Sequence, residues 1–347
     1  MTRVLRPFAV VALAPVVLLA TAAVYGGWWV VAGALYMTLF AFALDQIIST
    51  TAAPANPAAP HPGANALSVI LALSHFGLLA LMVWALAGGS GLPWGQRCVL
   101  FVAAGLFFGQ VSNSNAHELI HRGNRTLFTL GKWVYISLLF GHHTSAHLKV
   151  HHRYVASSKD PNSARDGESF YHFAPRAWKG SFLAGYRAER KDLARRNRGG
   201  MTPYGVYIGA GMGMLAAAWA IGGGAGVMAL VALSVYAQTQ LLLSDYVQHY
   251  GLARSPLSTG KLVPVGPEHS WNAPHWFTAH LMLNAPRHSD HHAHPARPYP
   301  ALQLPAANVA PILPYSLPVM ATLALFPRPW RRVMAQAKRD WQAANTP

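Results

Sequence analysis

Apolar runs long enough to cross a lipid bilayer recur through the first two-thirds of the chain and leave little choice of architecture. A bilayer core is spanned by about 20 apolar residues in a helix. Inside it, backbone polar groups must be satisfied within the segment or by packed neighbours. Such runs occupy about 8–25, 28–44, 66–86, 96–115, 203–221 and 225–249, the last two split by 222-GGGAG-226. The sequence therefore reads as an all-α, polytopic membrane protein with six transmembrane helices, one integral-membrane domain over 1–347. Only 11% of its residues are charged, against about a quarter in a soluble domain.

Between the runs, 53-APANPAAPHPG-63 has the composition of a stiff surface linker. The stretch 127–140 is too short to span and reads as a buried or re-entrant helix. Residues 306–326 are apolar but carry three prolines, which places them on the membrane surface rather than through it. Arg3 and Arg6 precede the first run, and 21-TAA-23 follows it, as in a signal peptide. A retained first helix is the better reading, because a second apolar run begins almost at once.

The formal charge of +16 does not point to nucleic acid, because the basic residues avoid the apolar runs and gather in loops. From Arg122 to Arg198 there are fifteen Lys or Arg against five acids, and nine more basic residues follow His249. The positive-inside bias puts both termini and the segments about 116–202 and 250–347 in the cytoplasm, with the chain in a bacterial-type inner membrane. The one cysteine, Cys98, allows no internal disulfide and no cysteine-held iron site, so electrons must come from another protein or a carrier bound without cysteine.

Sixteen of the eighteen histidines lie at or after His117. In 115-NAHELIHR-122, His117 and His121 share one helix face. In 147-HLKVHHRYV-155, His147 and His151 repeat that spacing and His152 lies about 100° further round. In 288-HSDHH-292, His288, His291 and His292 fill one turn bracketed by Pro286 and Pro295. His249 ends the sixth run. His142, His143 and His294 are weaker candidates. Nine imidazoles exceed what one ion can bind, whereas two irons or similar ions can use them. A zinc metallopeptidase built on HELIH needs only one further ligand and leaves two clusters idle. A histidine-rich metal transporter would place its ionisable residues mid-span, whereas these cluster at helix ends.

The motifs go beyond box spacing. NAHELIHR, HLKVHHRYVASSKDPNSARDGE, SDYVQHYGL and SWNAPHWFTAHLMLNAPRHSDHHAHPARPY resemble the corresponding segments of the membrane histidine-rich di-iron hydroxylase/desaturase superfamily, and among them those of AlkB-type alkane 1-monooxygenases. The resemblance spans roughly 96–303. It implies two non-haem Fe ions held by His117, His121, His147, His151, His152, His249, His288, His291 and His292. It also implies O2 as co-substrate and a rubredoxin- or ferredoxin-type electron donor with its reductase. The implied reaction takes an apolar substrate from the lipid: R–CH3, O2, two electrons and two protons give R–CH2OH and water, an n-alkane giving a 1-alkanol. Hydroxylation of aryl methyl groups (xylene-type) or fatty acyl chains, or desaturation, is the alternative within the superfamily. Ala146, Val150, Asp245, Gln248, Ala285 and Pro286 depart from the family pattern without removing a ligand.

Glu118, Asp160, Asp245, Glu268 and Asp290 lie in or beside the motifs and are candidates to orient the ligands by accepting the outer imidazole N–H. The basic stretch Arg176–Arg198 is expected to face either an acidic electron carrier or anionic lipid. The pair Trp28–Trp29 reads as an interfacial anchor ahead of a channel stop.

Overall fold

The computed structural model describes residues 2–48, 56–57, 61–197 and 199–344. Most of the Pro/Ala linker, and Arg198, fall outside the described residues. The chain forms α1 (Leu5–Tyr25), α2 (Trp28–Ile47), α3 (Ala64–Leu86), α4 (Trp94–Ile120), α5 (Arg125–Ser137), α6 (143–154) and α7 (Phe170–Arg195). These are followed by α8 (Pro203–His249), α9 (Trp276–Leu281), α10 (His288–Ala293), α11 (Leu317–Ala324) and α12 (Pro327–Ala343). Among the described residues, β-structure amounts to two isolated bridges.

Five of these helices, α1 to α4 and α8, are long and apolar enough to cross a membrane. The longest breaks inside the glycine run: Gly222 has φ −151° and Gly223 has φ 57°, ψ −146°, a region that a side chain disfavours. The expected division into two apolar limbs therefore lies where 222-GGGAG-226 is written. Large apolar side chains such as Val10, Val17, Trp219 and Met228 point outward, as suits a lipid-facing surface. Trp28 is 85% exposed, on the outside of the bundle rather than blocking an internal channel.

Two large apolar regions, with two smaller ones beside α5, hold the described residues together. One joins α1 to α4 and α8 around Leu19, Met82, Leu100 and Phe107. The other lies under the C-terminal helices, where Trp330 packs against Tyr246 and Tyr250 at ring-centroid distances of 5.2 and 5.1 Å. In α12, Trp330, Met334 and Ala337 recur at spacings of four and three, the stripe of an amphipathic helix laid on a core. The proline-bearing stretch 306–326 contributes α11, which buries Leu317, Met320, Ala321 and Ala324 in this second core. Most of residues 127–140 lie in α5, whose last turn is buried, packed against the end of α4. There Gly131 allows close approach, since a Cβ would stand 2.8 Å from the Ala116 carbonyl.

Three π-turns interrupt these helices: Tyr36–Phe40 in α2, Phe108–Ser112 in α4 and His147–His151 in α6. Such turns shift the face presented by everything that follows, and they occur often at functional sites.

Candidate metal centre

The nine histidines come from the end of α4, from α6, from the end of α8 and from α10, and they converge in two groups. His117, His121, His147, His152 and His291 form one; His151, His249, His288 and His292 form the other. Within each group every histidine offers one ring nitrogen that lies within 4.8 Å of those offered by the others. Adjacent Nε2 atoms are 3.1 Å apart for His121–His147, 2.9 Å for His147–His152 and 3.1 Å for His152–His291. In the second group His249–His288 is 3.0 Å and His288–His292 is 3.1 Å.

The partition differs from the helical-wheel reading at one place. His147 and His151, four apart, were expected on one face, but they serve different groups. The π-turn His147–His151 closes with i→i+5 bonds and brings His152 over His147 instead. In α10 the ordinary turn pairs His288 with His292 and sends His291 to the other group.

The arrangement fits metal ions. Two nitrogens bound about 2.1 Å from an ion at right angles are about 3 Å apart, the spacing of the adjacent pairs named above. Hydrogen bonding alone cannot satisfy so many converging nitrogens, because each neutral imidazole has one donor. His117 Nε2 in one group and His151 Nε2 in the other are buried without a hydrogen-bond partner among the described residues. Burial first, and then neighbouring imidazoles, hold His147, His152, His288, His291 and His292 well below the usual histidine range. They are thus neutral, the form that binds a cation.

Of the five acids proposed to orient ligands, Asp160 alone hydrogen-bonds a clustered imidazole among the described residues. Its Oδ2 accepts from His151 Nδ1 at 2.9 Å and from Ser163 Oγ at 2.7 Å. Burial opposes charge on both partners, yet each holds the other: His151 is raised and Asp160 lowered. Asp245 is one step away, with Asn162 Nδ2 donating to it at 2.6 Å and the Asn162 N–H donating to Asp160 Oδ1 at 3.1 Å. The other acids serve cations and backbone, because a buried arginine or a free N–H competes for them. Glu118 pairs with Arg122 and accepts from the Tyr299 N–H. Asp290 takes Arg297 at 2.6 Å, His294 at 3.0 Å and the Gln303 N–H at 2.8 Å. Glu268 lies beside His269 at 3.3 Å, its side chain half exposed.

Several residues quoted only as motif turn out to brace the site. Asn272 Oδ1 accepts from the N–H and hydroxyl of Ser289 at 3.0 and 2.9 Å, fixing α10. Trp271 Nε1 donates to the Tyr250 carbonyl at 3.0 Å. Arg176 grips Glu168 through Nε and Nη2 at 2.8 and 2.7 Å and reaches the Pro161 carbonyl at 2.9 Å. It therefore belongs to the loop carrying Asp160, not to the basic surface; the exposed members of that surface include Lys179, Arg187 and Arg195. In the sequence, Trp271, Asn272, Ser289 and Glu168 are signalled only by their place in the motif tails, which gives no role, and Arg176 reads as basic surface. His142 and His143 stay out of both groups; His143 stacks on Phe140 and borders a cavity of about 50 Å³ that also touches His117, His147 and His288.

Comparison with known proteins bears on the same segments. Residues 92–324 match the family model for fatty acid desaturases. The chain is 31% identical to alkane 1-monooxygenase 2 of Pseudomonas aeruginosa over 87% of its own length and 82% of that protein. It is 30% identical to alkane 1-monooxygenase of Ectopseudomonas oleovorans over 78% of the chain and 67% of the relative. The chain belongs to the alkane 1-monooxygenase family. The xylene/toluene monooxygenase hydroxylase component XylM of Pseudomonas putida is 26% identical over 91% of the chain and 85% of that protein. As a member of this family the protein is an integral-membrane oxidoreductase, a monooxygenase of apolar substrates that draws electrons from an external donor. Its histidine groups and its family together point to a metal site.

Proposed function

We propose that the protein hydroxylates a terminal methyl group, turning an n-alkane into a 1-alkanol at a site that holds two irons. The observation that carries this reading is the convergence of nine imidazoles into two adjoining groups. His117, His121, His147, His152 and His291 would hold one iron and His151, His249, His288 and His292 the other. Bound there, the irons would supply the reductive activation of O2 that an unactivated C–H bond demands.

The protein's own residues position and exclude. Asp160 fixes the His151 ring by taking its outer N–H, and Asn272 and Arg176 hold the segments that carry the ligands. Buried walls around the cavity keep bulk water from the reacting carbon and hold that carbon beside the metal-binding groups. Glu118, the base that a zinc peptidase would need, is occupied by Arg122 and the Tyr299 N–H.

The same reading makes the two limbs of α8 separate spans, six in all, in one domain whose histidine side faces the cytoplasm of an inner membrane. Exposed basic residues of α7 would receive an acidic rubredoxin- or ferredoxin-type donor. A second reading, hydroxylation of an aryl methyl group, is favoured by the XylM relative, whose similarity covers most of both chains. The test is turnover of octane, hexadecane, xylene and a fatty acid by iron-loaded protein with a reduced donor and O2. A 1-alkanol from the alkanes is the expected product. Xylene as the one oxidised substrate would select the second reading, and turnover with zinc alone would end both.

A further inference from the structure

Three cavities lie in series between the flank of the helix bundle and the histidines. The outermost is a cleft of about 650 Å³ with walls that include Met37, Phe42, Leu106, Val319 and Phe326. Gln110, Gln240, Pro318 and Ala321 line both this cleft and a narrow neck beyond it. Gly109, Ser244 and Met282 line both the neck and the cavity at His117, His147 and His288. The neck is tight: a Cβ on Gly109 would stand 2.5 Å from Gln240 Cβ. An apolar molecule in the cleft is thus separated from the histidines only by this neck.

The polar groups of the cleft are not alike. Asp45 takes the N–H and hydroxyl of Thr278. Thr38 and Thr322 donate to carbonyls within their own helices, at 2.6 and 2.9 Å. The side-chain amides of Gln110 and Gln240 have no hydrogen-bond partner among the described residues and open onto the cavity, although Gln110 as a whole is only 5% exposed and Gln240 is half-buried. An amide that faces a cavity needs a polar partner there, and a saturated hydrocarbon filling that space cannot supply one. The π-turn Phe108–Ser112 holds Gln110 in this place, at a class of distortion that commonly serves function.

We propose that Gln110 and Gln240 form a binding station, inside the neck, for a neutral oxygen carried by an apolar molecule: a hydroxyl, ether or carbonyl. An amide supplies both a donor and an acceptor, so it serves an alcohol on either side of its oxygen. This deepens the hydroxylase reading and rests on it for the role of the cavity. The oxygen has two sources, an alcohol leaving after hydroxylation or a substrate that already bears one.

The test uses the iron-loaded full chain in lipid nanodiscs, with deuterated decane and 1-decanol counted on the protein and on empty discs. The protein should retain 1-decanol over decane by about 10-fold more than empty discs do, one net hydrogen bond. In Gln110→Leu and Gln240→Leu the ratio should fall towards that of the empty discs. A wild-type ratio equal to that of empty discs, or one intact in both variants, overturns the proposal. Kinetics separate the sources. A departing product predicts that inhibition of decane turnover by added 1-decanol weakens about 10-fold in the variants; an incoming oxygenated substrate predicts the same loss in kcat/KM for decyl methyl ether. A binding preference without oxidised product from any chain would retain the station and defeat the hydroxylase reading.

Discussion

Among single residues, Asp160 makes the sharpest claim on the metal site. Asp160→Asn keeps the shape but weakens the acceptor for His151 Nδ1–H, and outer partners of this kind are worth about 10- to 100-fold in metal affinity. Iron titration of the folded variant should show that loss, mainly at the second group. His75→Ala should leave the iron content intact, because His75 Nε2 meets Ser137 Oγ at 2.8 Å, far in sequence from any cluster, and ties α3 to α5. A thermal scan should show the variant less stable. The candidate ligands were legible because histidine is scarce in apolar helices and here comes in clusters. The roles of the acids were less so: proximity in sequence promoted Glu118 and Asp290, and the structure gives both to arginines.

Helices themselves were readable from apolar length, and their interruptions were not. The glycine run announced the break in α8, since Gly223 needs a backbone region that L side chains avoid. Nothing lies within 4 Å of a Cβ built there, so Gly223→Ala tests backbone strain alone and should cost about 1–3 kcal/mol, seen as a lower midpoint in denaturant. The π-turns left no such mark. No residue type demands an extra residue in a turn, and the pattern of apolar positions in 147-HLKVHHRYV-155 is too short to reveal a change of pitch. For that reason the wheel put His147 with His151, and only the fold assigns His152 as its neighbour.

For the molecule as a whole, keeping so many imidazoles dry ties stability to pH. His142, outside both groups, packs among Phe140, Trp178 and Phe182, and burial lowers its pKa to about 4. An unfolded histidine titrates near 6.5, so between about 6.5 and 4 the unfolded chain takes up the proton that the folded one refuses. Stability from this site is complete above that window and is lost as pH falls through it. His142→Phe should therefore move acid unfolding, followed by near-UV circular dichroism, to lower pH. One more property of the assembly comes from α6. Because a single five-residue turn sends His147 one way and His151 the other, neither half of the centre has a mechanical foundation of its own. A slip of one position there would disarm both at once, so partial, one-ion versions of this protein should be hard to reach by any change within that turn.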